Sequence, residues 1–462
     1  MGSENEANPE INVTPPEEKG FPLTKEFLEL AFDREVEKFS VNVGTNPGDN
    51  YMSILHAIKV TFKGEKESNH YLIKCYPNNQ GRRDFLDQTN IFSKEFFIYQ
   101  EFIPQLKQLA IESGAQNIAD LSVAPVHGGN IVGTLSSKFT MKPWSDENFI
   151  LMTDIRTIGF TMADRIKGLD LEHTKLVLEE IAKFHALSWA YKQKNGLSLL
   201  SDKYPQFADK MYDNDDMMKD FKDLVDHLRT NAVTMVEEKL GETHPASKSF
   251  KDFVSGDYMG YMKLFVKKDG IDEEHVESHL RIKPDADKDY DYEPWLVGTH
   301  GDCWVNNILF LYNDEVPKKP VKVTIVDWQV NREACPTIDL VYFLFCSVRT
   351  SIKIPHLDDL LKVYHDAFLR YCNALEVSPL KGFSFETLKR RFRRAQHFGI
   401  LVSMPLLSIV LKSVEESFDI DTVQSDDMGE LFRSMMTGSD KNALVKHELS
   451  ETVLDMYKNG VI

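Results

Sequence analysis

The sequence predicts a two-lobed α+β fold. A small lobe of antiparallel strands plus one helix spans 21–155, and a large, mainly helical lobe spans 156–462; an acidic flexible tail, 1–20, precedes both. Three features lead there. Short strand-like runs flank a single strongly periodic helix early in the chain. Helical spacing then dominates from Thr161 onward. One polar, strand-bearing interval, Gly298–Phe345, interrupts the helices late in the sequence.

In chain order, residues 1–20 are polar and proline-bearing (Pro9, Pro15, Pro16) without periodicity, as in a solvated tail. Leu23, Phe27, Leu30 and Ala31 mark one face of a first helix. Strand-like runs follow at Met52–Val60, His70–Tyr76, Ile131–Val132 and Phe149–Thr153. Between the second and third lies a helical segment, Asp84–Leu109, with Phe92, Phe96, Tyr99 and Phe102 three or four residues apart. In the larger lobe, Leu176–Lys192 carries Leu178, Ile181, Ala182, His185 and Trp189 on one stripe. Helical stretches at Asp202–Leu240 and Phe253–Val266 and a charged loop, Lys283–Glu293, form an insert over about 195–293. Helices return after Phe345, including the apolar run Phe398–Leu411. No internal repeat is visible.

Composition excludes several classes. Lys+Arg 54 against Asp+Glu 72 gives −18, which disfavours non-specific attraction to nucleic acid or an anionic membrane. The cluster Lys389-Arg390-Arg391-Phe392-Arg393-Arg394 therefore reads as a solvated helix face or a local salt-bridge partner. The five cysteines, Cys75, Cys303, Cys335, Cys346 and Cys372, form no C-x-x-C pair, and a chain of this size needs no staples. A structural zinc site is not expected. The N-terminus lacks an apolar stretch for a signal peptide, and Glu6 stands where a myristoylation motif wants Ser or Thr. The Phe398–Leu411 run is too short to span a bilayer and contains Pro405. A soluble cytoplasmic protein, with no nucleic-acid, membrane or protein partner, is the expectation. No Walker A motif, nucleophile elbow or H-E-x-x-H is present.

The chemistry concentrates in His300-Gly301-Asp302-Cys303-Trp304-Val305-Asn306-Asn307, followed by Ile325-Val326-Asp327-Trp328-Gln329. Asn307 opens an apolar strand, Ile308–Tyr312, and Asp327 closes another in which Val321, Val323 and Ile325 alternate. The polar stretch Asn313–Pro320 reads as a hairpin connection. If residue 312 faces 322, antiparallel register brings 307 opposite 327. An amide and a carboxylate oxygen then sit together, a hard donor pair that suits Mg²⁺ sharing its shell with phosphates. Asp302, on the loop just before, is a carboxylate left over to accept a hydroxyl proton. Base, amide and carboxylate in this order make the kinase arrangement. Taken singly, each residue has an ordinary structural role: a turn residue, an Asx-turn former, a packed histidine.

At these residues the sequence resembles the ecdysteroid kinase-like family, in the aminoglycoside phosphotransferase and choline kinase branch of the protein-kinase-like fold. Trp304 with Asn306-Asn307, Asp327-Trp328-Gln329, Cys335-Pro336-x-x-Asp339-Leu340, Gly168–His173 and Phe184-His185-Ala186 carry the resemblance, which spans roughly 25–435. It implies a phosphate-binding Lys74 in the strand Tyr71–Tyr76 and a helix partner, Glu95, to brace it. It also implies a phosphate-covering turn over Gly44–Tyr51 that includes Gly48 and Asn50. That turn lacks G-x-G-x-x-G. Adenine would meet the connector Leu151–Ile155, with Met152 and Asp154; the family commonly has Glu-Asp where this chain reads Thr153-Asp154. Asp339 would steady the catalytic loop.

The resemblance implies transfer of the γ-phosphoryl of ATP, with Mg²⁺ on Asn307 and Asp327, to an alcohol of an ecdysteroid or related sterol. Asp302 would be the base, assisted by Lys74 and Glu95. The insert and Phe398–Leu411 are candidates to wall the acceptor pocket, and equally candidates for plain core. Two rivals remain: a choline- or aminoglycoside-type phosphotransferase using the acidic stretch Asp213–Asp216, and a non-catalytic hormone-binding module.

Overall fold

The computed structural model describes residues 21–45, 52–133, 138–210, 222–268, 294–316, 318–412, 428–436 and 441–462. Gly48, Asn50, Asp213–Asp216, the loop Lys283–Glu293 and the tail lie outside the described residues.

The small lobe is built on a five-stranded antiparallel sheet in the order β1-β2-β3-β5-β4. Its strands are β1 (Val36–Val43), β2 (Ile54–Phe62), β3 (Asn69–Cys75), β4 (Val126–Asn130) and β5 (Phe149–Thr153). Alternation along β3 and β5 gives the sheet two apolar faces. Tyr71, Ile73, Cys75, Phe149 and Leu151 pack with Phe27 of the first helix, α1 (Lys25–Phe32). Leu72, Ile150 and Met152 pack on the other side with Phe92. Lys74 shares the parity of Leu72, so it belongs to the face that receives Phe92 and its helix.

Sequence and structure differ at β1, which the alternation criterion passes over because only Val36 is buried on this polar edge strand. The strand expected at Ile131–Val132 lies just before, at Val126–Asn130. The single expected helix is a relay of shorter ones: α2 (Gln80–Thr89), α3 (Ile91–Phe97), a π-turn at Ile98–Phe102 and α4 (Ile103–Glu112). Asn79 caps α2 by accepting from Arg82 N at 2.8 Å. Asn90, left-handed at φ 59°, breaks the axis before α3. Pro104 brings no N–H into the ladder, and the wide turn immediately precedes it. This bend carries Phe102 off the sheet and onto Phe207 (ring centroids 4.7 Å apart) and Tyr191 (5.6 Å), in the core of the large lobe.

After the short α5 (Gln116–Ala119), the large lobe begins with the two-residue β6 (Thr161–Met162) and α6 (Leu171–Lys194). Asp170 caps α6 by accepting from Glu172 N and His173 N. The described part of the insert holds α7 (Lys222–Leu240), α8 (Pro245–Val254) and α9 (Tyr258–Lys268). Phe253–Val266 is therefore two helices rather than one, and Asp202–Leu240 opens with a 3₁₀ turn at Pro205–Phe207. β7 (Val297–Thr299), β8 (Ile308–Tyr312), β9 (Pro320–Ile325) and β10 (Arg332–Ala334) follow, with β7 paired to β10 and β8 to both β6 and β9. The remaining helices are α10 (Pro336–Ser347), α11 (Thr350–Ala374), α12 (Phe385–Val410), α13 (Met428–Met436) and α14 (Ala443–Lys458). α6 packs along α11, and α10 along α12.

Phe398, Ile400, Leu401, Met404 and Leu407 are buried in this core, so the Phe398–Leu411 run serves packing. The basic cluster is not a solvated face throughout. Arg391 is fully buried with its guanidinium 4.1 Å from the Trp295 ring centroid, while Lys389 pairs with Asp358 at 2.7 Å. All five cysteines are buried, and none forms a disulfide. Among the described residues no helix is long and apolar enough to cross a membrane.

Two local constraints fix the ribbon next to the loop between β7 and β8. Lys192 and Glu333 form a buried pair at 2.7 Å; Lys192 also reaches Leu296 O and Glu333 receives Leu200 N. Gly301, at φ +83°, has no room for a side chain: a Cβ would lie 2.3 Å from Val330 O. Lys192→Met, which strands the Glu333 carboxylate, is expected to cost about 3–5 kcal/mol in a urea denaturation series. Gly301→Ala must move backbone as well as strain φ, and is expected to cost on the order of 2–4 kcal/mol in the same assay.

Candidate active site

The hairpin register places the metal-ligand candidates. Ile308 faces Ile325 and Leu311 faces Lys322, but a bulge then slips Tyr312 opposite Pro320. The expected register, 312 opposite 322, is two residues off at Tyr312 and one residue off along Ile308–Leu311. Asn307 stands level with Val326, whose N–H donates to Asn307 O at 2.9 Å, and Asp327 follows one position later. There the strand ends abruptly, because Asp327 takes a left-handed backbone at φ 65° and ψ 61°. A non-glycine residue in that region is uncommon, and such residues cluster at functional sites.

That turn delivers the Asp327 carboxylate to Lys74. Lys74 Nζ lies 2.8 Å from Asp327 Oδ1 and 2.5 Å from Glu95 Oε2. The pairing of Lys74 with Glu95, implied by the family resemblance, is thus present in the geometry. Lys74 and Glu95 are almost fully buried, whereas the Asp327 side chain keeps 21% of its surface exposed, so the cluster opens toward solvent only on the Asp327 side. Burial alone would lower the Lys74 pKa, but Asp327 and Glu95 outweigh it and hold the ammonium above its ordinary value. Burial pushes Glu95 up to about 7, against the pull of Lys74 and with a further push from Asp327.

Asp302 stands on the loop between β7 and β8. Asn307 Nδ2 donates to its backbone carbonyl at 2.9 Å and to its Oδ2 at 3.1 Å. Tyr342 of α10 donates its hydroxyl to Oδ1. Burial, then the Asp327 charge, pushes Asp302 up to about 7, while Tyr342, Asn307 and Trp304 pull the other way. The buried Trp304 indole N–H lies near enough to act on this carboxylate but meets no hydrogen-bond geometry with any acceptor.

The loop itself hangs from Asp339, three residues before Tyr342 on α10. Asp339 accepts from His300 N at 2.7 Å, Gly301 N at 2.9 Å and His185 Nε2 at 3.1 Å. Burial raises it, yet His185, His300 and the Gly301 N–H more than compensate and hold it below the ordinary carboxylate range. His185 Nδ1 in turn meets Tyr364 at 2.8 Å. His300 Nδ1 accepts from Asp302 N at 3.2 Å, which assigns the ring proton to Nε2, 3.0 Å from Val326 O. Burial lowers the His300 pKa, against the pull of Asp339 and Asp327.

The connector residues are placed differently. Met152 is buried in an apolar cluster shared with Ile150, Phe92 and Leu309. The Asp154 carboxylate is held by Arg156, with Oδ1–Nε and Oδ2–Nη2 both at 2.8 Å, so its side chain is already committed. Arg156 also donates to Gly44 O at 2.7 Å, tying the connector to the end of β1. A cavity of about 390 Å³ opens elsewhere on the small lobe, among Tyr76, Arg83, Asn90, Ile131 and Asn148, and includes none of these site residues.

Tyr342 and Gln329, whose Nε2 lies 3.3 Å from Asp327 Oδ2, are contacts that sequence reasoning missed. The i, i+3 spacing of Asp339 and Tyr342 was the available signal. The donor set suits a divalent cation. Asp302, Asp327 and Glu95 against Lys74 sum to −3 + 1 = −2 when ionised, and the Asn307 amide nitrogen is spent on Asp302, leaving its oxygen to ligate. Among the described residues no group of three or more His, Cys, Asp or Glu forms a metal cluster.

No curated protein matches the chain. Among solved structures, the AMP-bound complex of a spectinomycin phosphotransferase is similar at 14% identity, covering 88% of this chain and 96% of that one, with a TM-score of 0.35. A thermostable mutant of an aminoglycoside phosphotransferase, in its apo form, is similar at 13% identity, covering 89% and 99%, with a TM-score of 0.32. The model of the ecdysteroid kinase-like family matches residues 47–377, an interval that holds Lys74, Glu95, Asp302, Asn307, Asp327 and Asp339. The chain belongs to the ecdysteroid kinase-like family.

Proposed function

We propose that the protein transfers the γ-phosphoryl group of ATP to an alcohol of an ecdysteroid or a related sterol. The observation that carries this reading is the placing of Asp327 on the Lys74–Glu95 pair, at 2.8 Å from the ammonium, with Asn307, itself 3.1 Å from Asp302, joined to the neighbouring Val326 by a backbone hydrogen bond of 2.9 Å. Membership of a kinase-like family supports the reaction class, and the family's name is the reason to test ecdysteroids first.

Each residue has a task. Lys74 grips the α- and β-phosphates with its ammonium, and Glu95 keeps that ammonium from following Asp327 alone. Asn307 through its carbonyl oxygen and Asp327 through its carboxylate would hold Mg²⁺, which neutralises and orients the phosphates when bound. Asp302 accepts the proton of the attacking hydroxyl or aligns it. Most of the acceleration in such chemistry is positioning and charge stabilisation. Gly48 and Asn50 would cover the phosphates and the connector around Met152 would receive adenine through backbone groups.

Phosphate transfer from labelled ATP, with Mg²⁺, should be screened over ecdysteroids, other sterols, choline and aminoglycosides. Label on a sterol alone is the expected result; label on choline or an aminoglycoside, or on no alcohol at all, contradicts the acceptor assignment. Asp302→Asn should lower turnover by about 10²–10⁴-fold while ATP affinity stays near the wild-type value. Equal turnover would remove Asp302 from the base role.

A further inference from the structure

The two oxygens of Asp302 are held from opposite sides. Asn307 takes Oδ2 from the strand side, and Tyr342 takes Oδ1 from helix α10. Tyr342 is not an isolated contact. Asp339 lies three residues earlier on the same helix, and residues at that spacing share a face. Asp339 fixes the backbone of the loop at His300 and Gly301, and Tyr342 reaches one residue further to the Asp302 side chain. One helix face thus sets both where the loop runs and how its carboxylate is turned.

The helix is well suited to hold that geometry. α10 is buried along most of its length: Ile338, Asp339, Leu340, Val341, Phe343, Leu344 and Phe345 are all below a tenth exposed, while Tyr342 is only half-buried. Its partner, Asp302, also keeps part of its surface open. A half-buried phenol projecting from a rigid helix to a half-buried carboxylate constrains torsion without sealing the carboxylate from a substrate.

Resting on the phosphotransfer reading above, we infer that Tyr342 is a positioning residue for the reaction: its hydroxyl locks the Asp302 carboxylate in the rotation that presents it to the acceptor alcohol. Loss of this lock is expected to leave nucleotide binding unchanged, because the hydrogen bond removed is one to Asp302 rather than to the Lys74 cluster. The effect falls on the step in which Asp302 takes part. Misalignment of a reacting group by about an ångström costs on the order of 10²-fold, which sets the upper end of the expected loss.

The test is a double-mutant cycle of Tyr342→Phe and Asp302→Asn on the full chain, read as phosphate released from Mg·ATP with water as acceptor and as label on the best alcohol of the panel. Thermal unfolding is recorded alongside. Tyr342→Phe should lower kcat by about 10–100-fold with the KM for ATP within about 2-fold of wild type. In the Asp302→Asn background the same change should cost less than about 2-fold. Replacement of Tyr342 by para-aminophenylalanine, which keeps a donor at the ring tip, should restore most of the loss. A kcat near wild type in Tyr342→Phe, or an equal loss in both backgrounds, overturns the positioning role. A wild-type protein that turns over ATP with neither water nor any alcohol overturns the phosphotransfer reading and this inference with it, so the two failures are told apart by the wild type alone.

Discussion

One buried ammonium ties the two lobes together. Lys74 comes from a central strand of the small lobe, Glu95 from the helix beside it, and Asp327 from the end of a strand in the large lobe. Paired charges at such depth are tolerated only when their partners are in place, since an unpaired buried charge costs several kcal/mol. The cluster therefore fixes how α3 and the β9 turn face each other. It also carries one carboxylate more than the ammonium can neutralise, and Asp302 adds another. Glu95 and Asp302 both titrate higher than ordinary carboxylates for that reason and because they are buried. Excess negative charge at a partly open face is the condition in which a divalent cation with phosphate ligands is favoured.

The second level of organisation is mechanical. Side chains that act on substrate sit on a loop, and loops are positioned by the rigid elements behind them. Here the backing is α10, which offers Asp339 to the loop backbone, and α6, which offers His185 to Asp339. Tyr364 of α11 closes that chain of contacts. The hierarchy runs from core packing, through the buried Asp339 carboxylate and its partners, to the orientation of a single half-buried acid, Asp302. Gly301 belongs to the same hierarchy, because only a residue without a side chain lets the loop pass so close to Val330.

Much of this was legible in the sequence, and the exceptions have physical causes. β3, β5, β8 and β9 were visible because each is an apolar run bounded by turn residues. β1 was not, being an exposed polar edge. The long helix through Phe92 and Phe102 was found, but its breaks depend on a left-handed Asn90 and a π-turn, to which apolar spacing is blind. The order of Asp302, Asn307 and Asp327 pointed to the site, while the exact register, including a bulge at Leu311–Tyr312, is something no residue type announces. Lys74 and Glu95 lie 21 residues apart and were found only through family resemblance; their contact is a tertiary fact. Tyr342 was overlooked because an aromatic residue in an apolar helix reads as core. Arg391 was misread for the opposite reason: a basic run reads as surface, yet stacking on Trp295 lets one of its members be buried.

The claim at the centre is that the Asp327 side of the Lys74 cluster receives a divalent cation together with a triphosphate. Thermal unfolding of the wild type and of Asp327→Asn, each with a non-hydrolysable ATP analogue in the presence and absence of Mg²⁺, tests it most directly. Ligand at about a hundred times its Kd should add roughly 2.7 kcal/mol of stability, and the account predicts that most of this gain in the wild type requires Mg²⁺ and disappears in Asp327→Asn. A nucleotide-dependent rise in Tm of equal size with and without Mg²⁺, or one unchanged by the substitution, would contradict it.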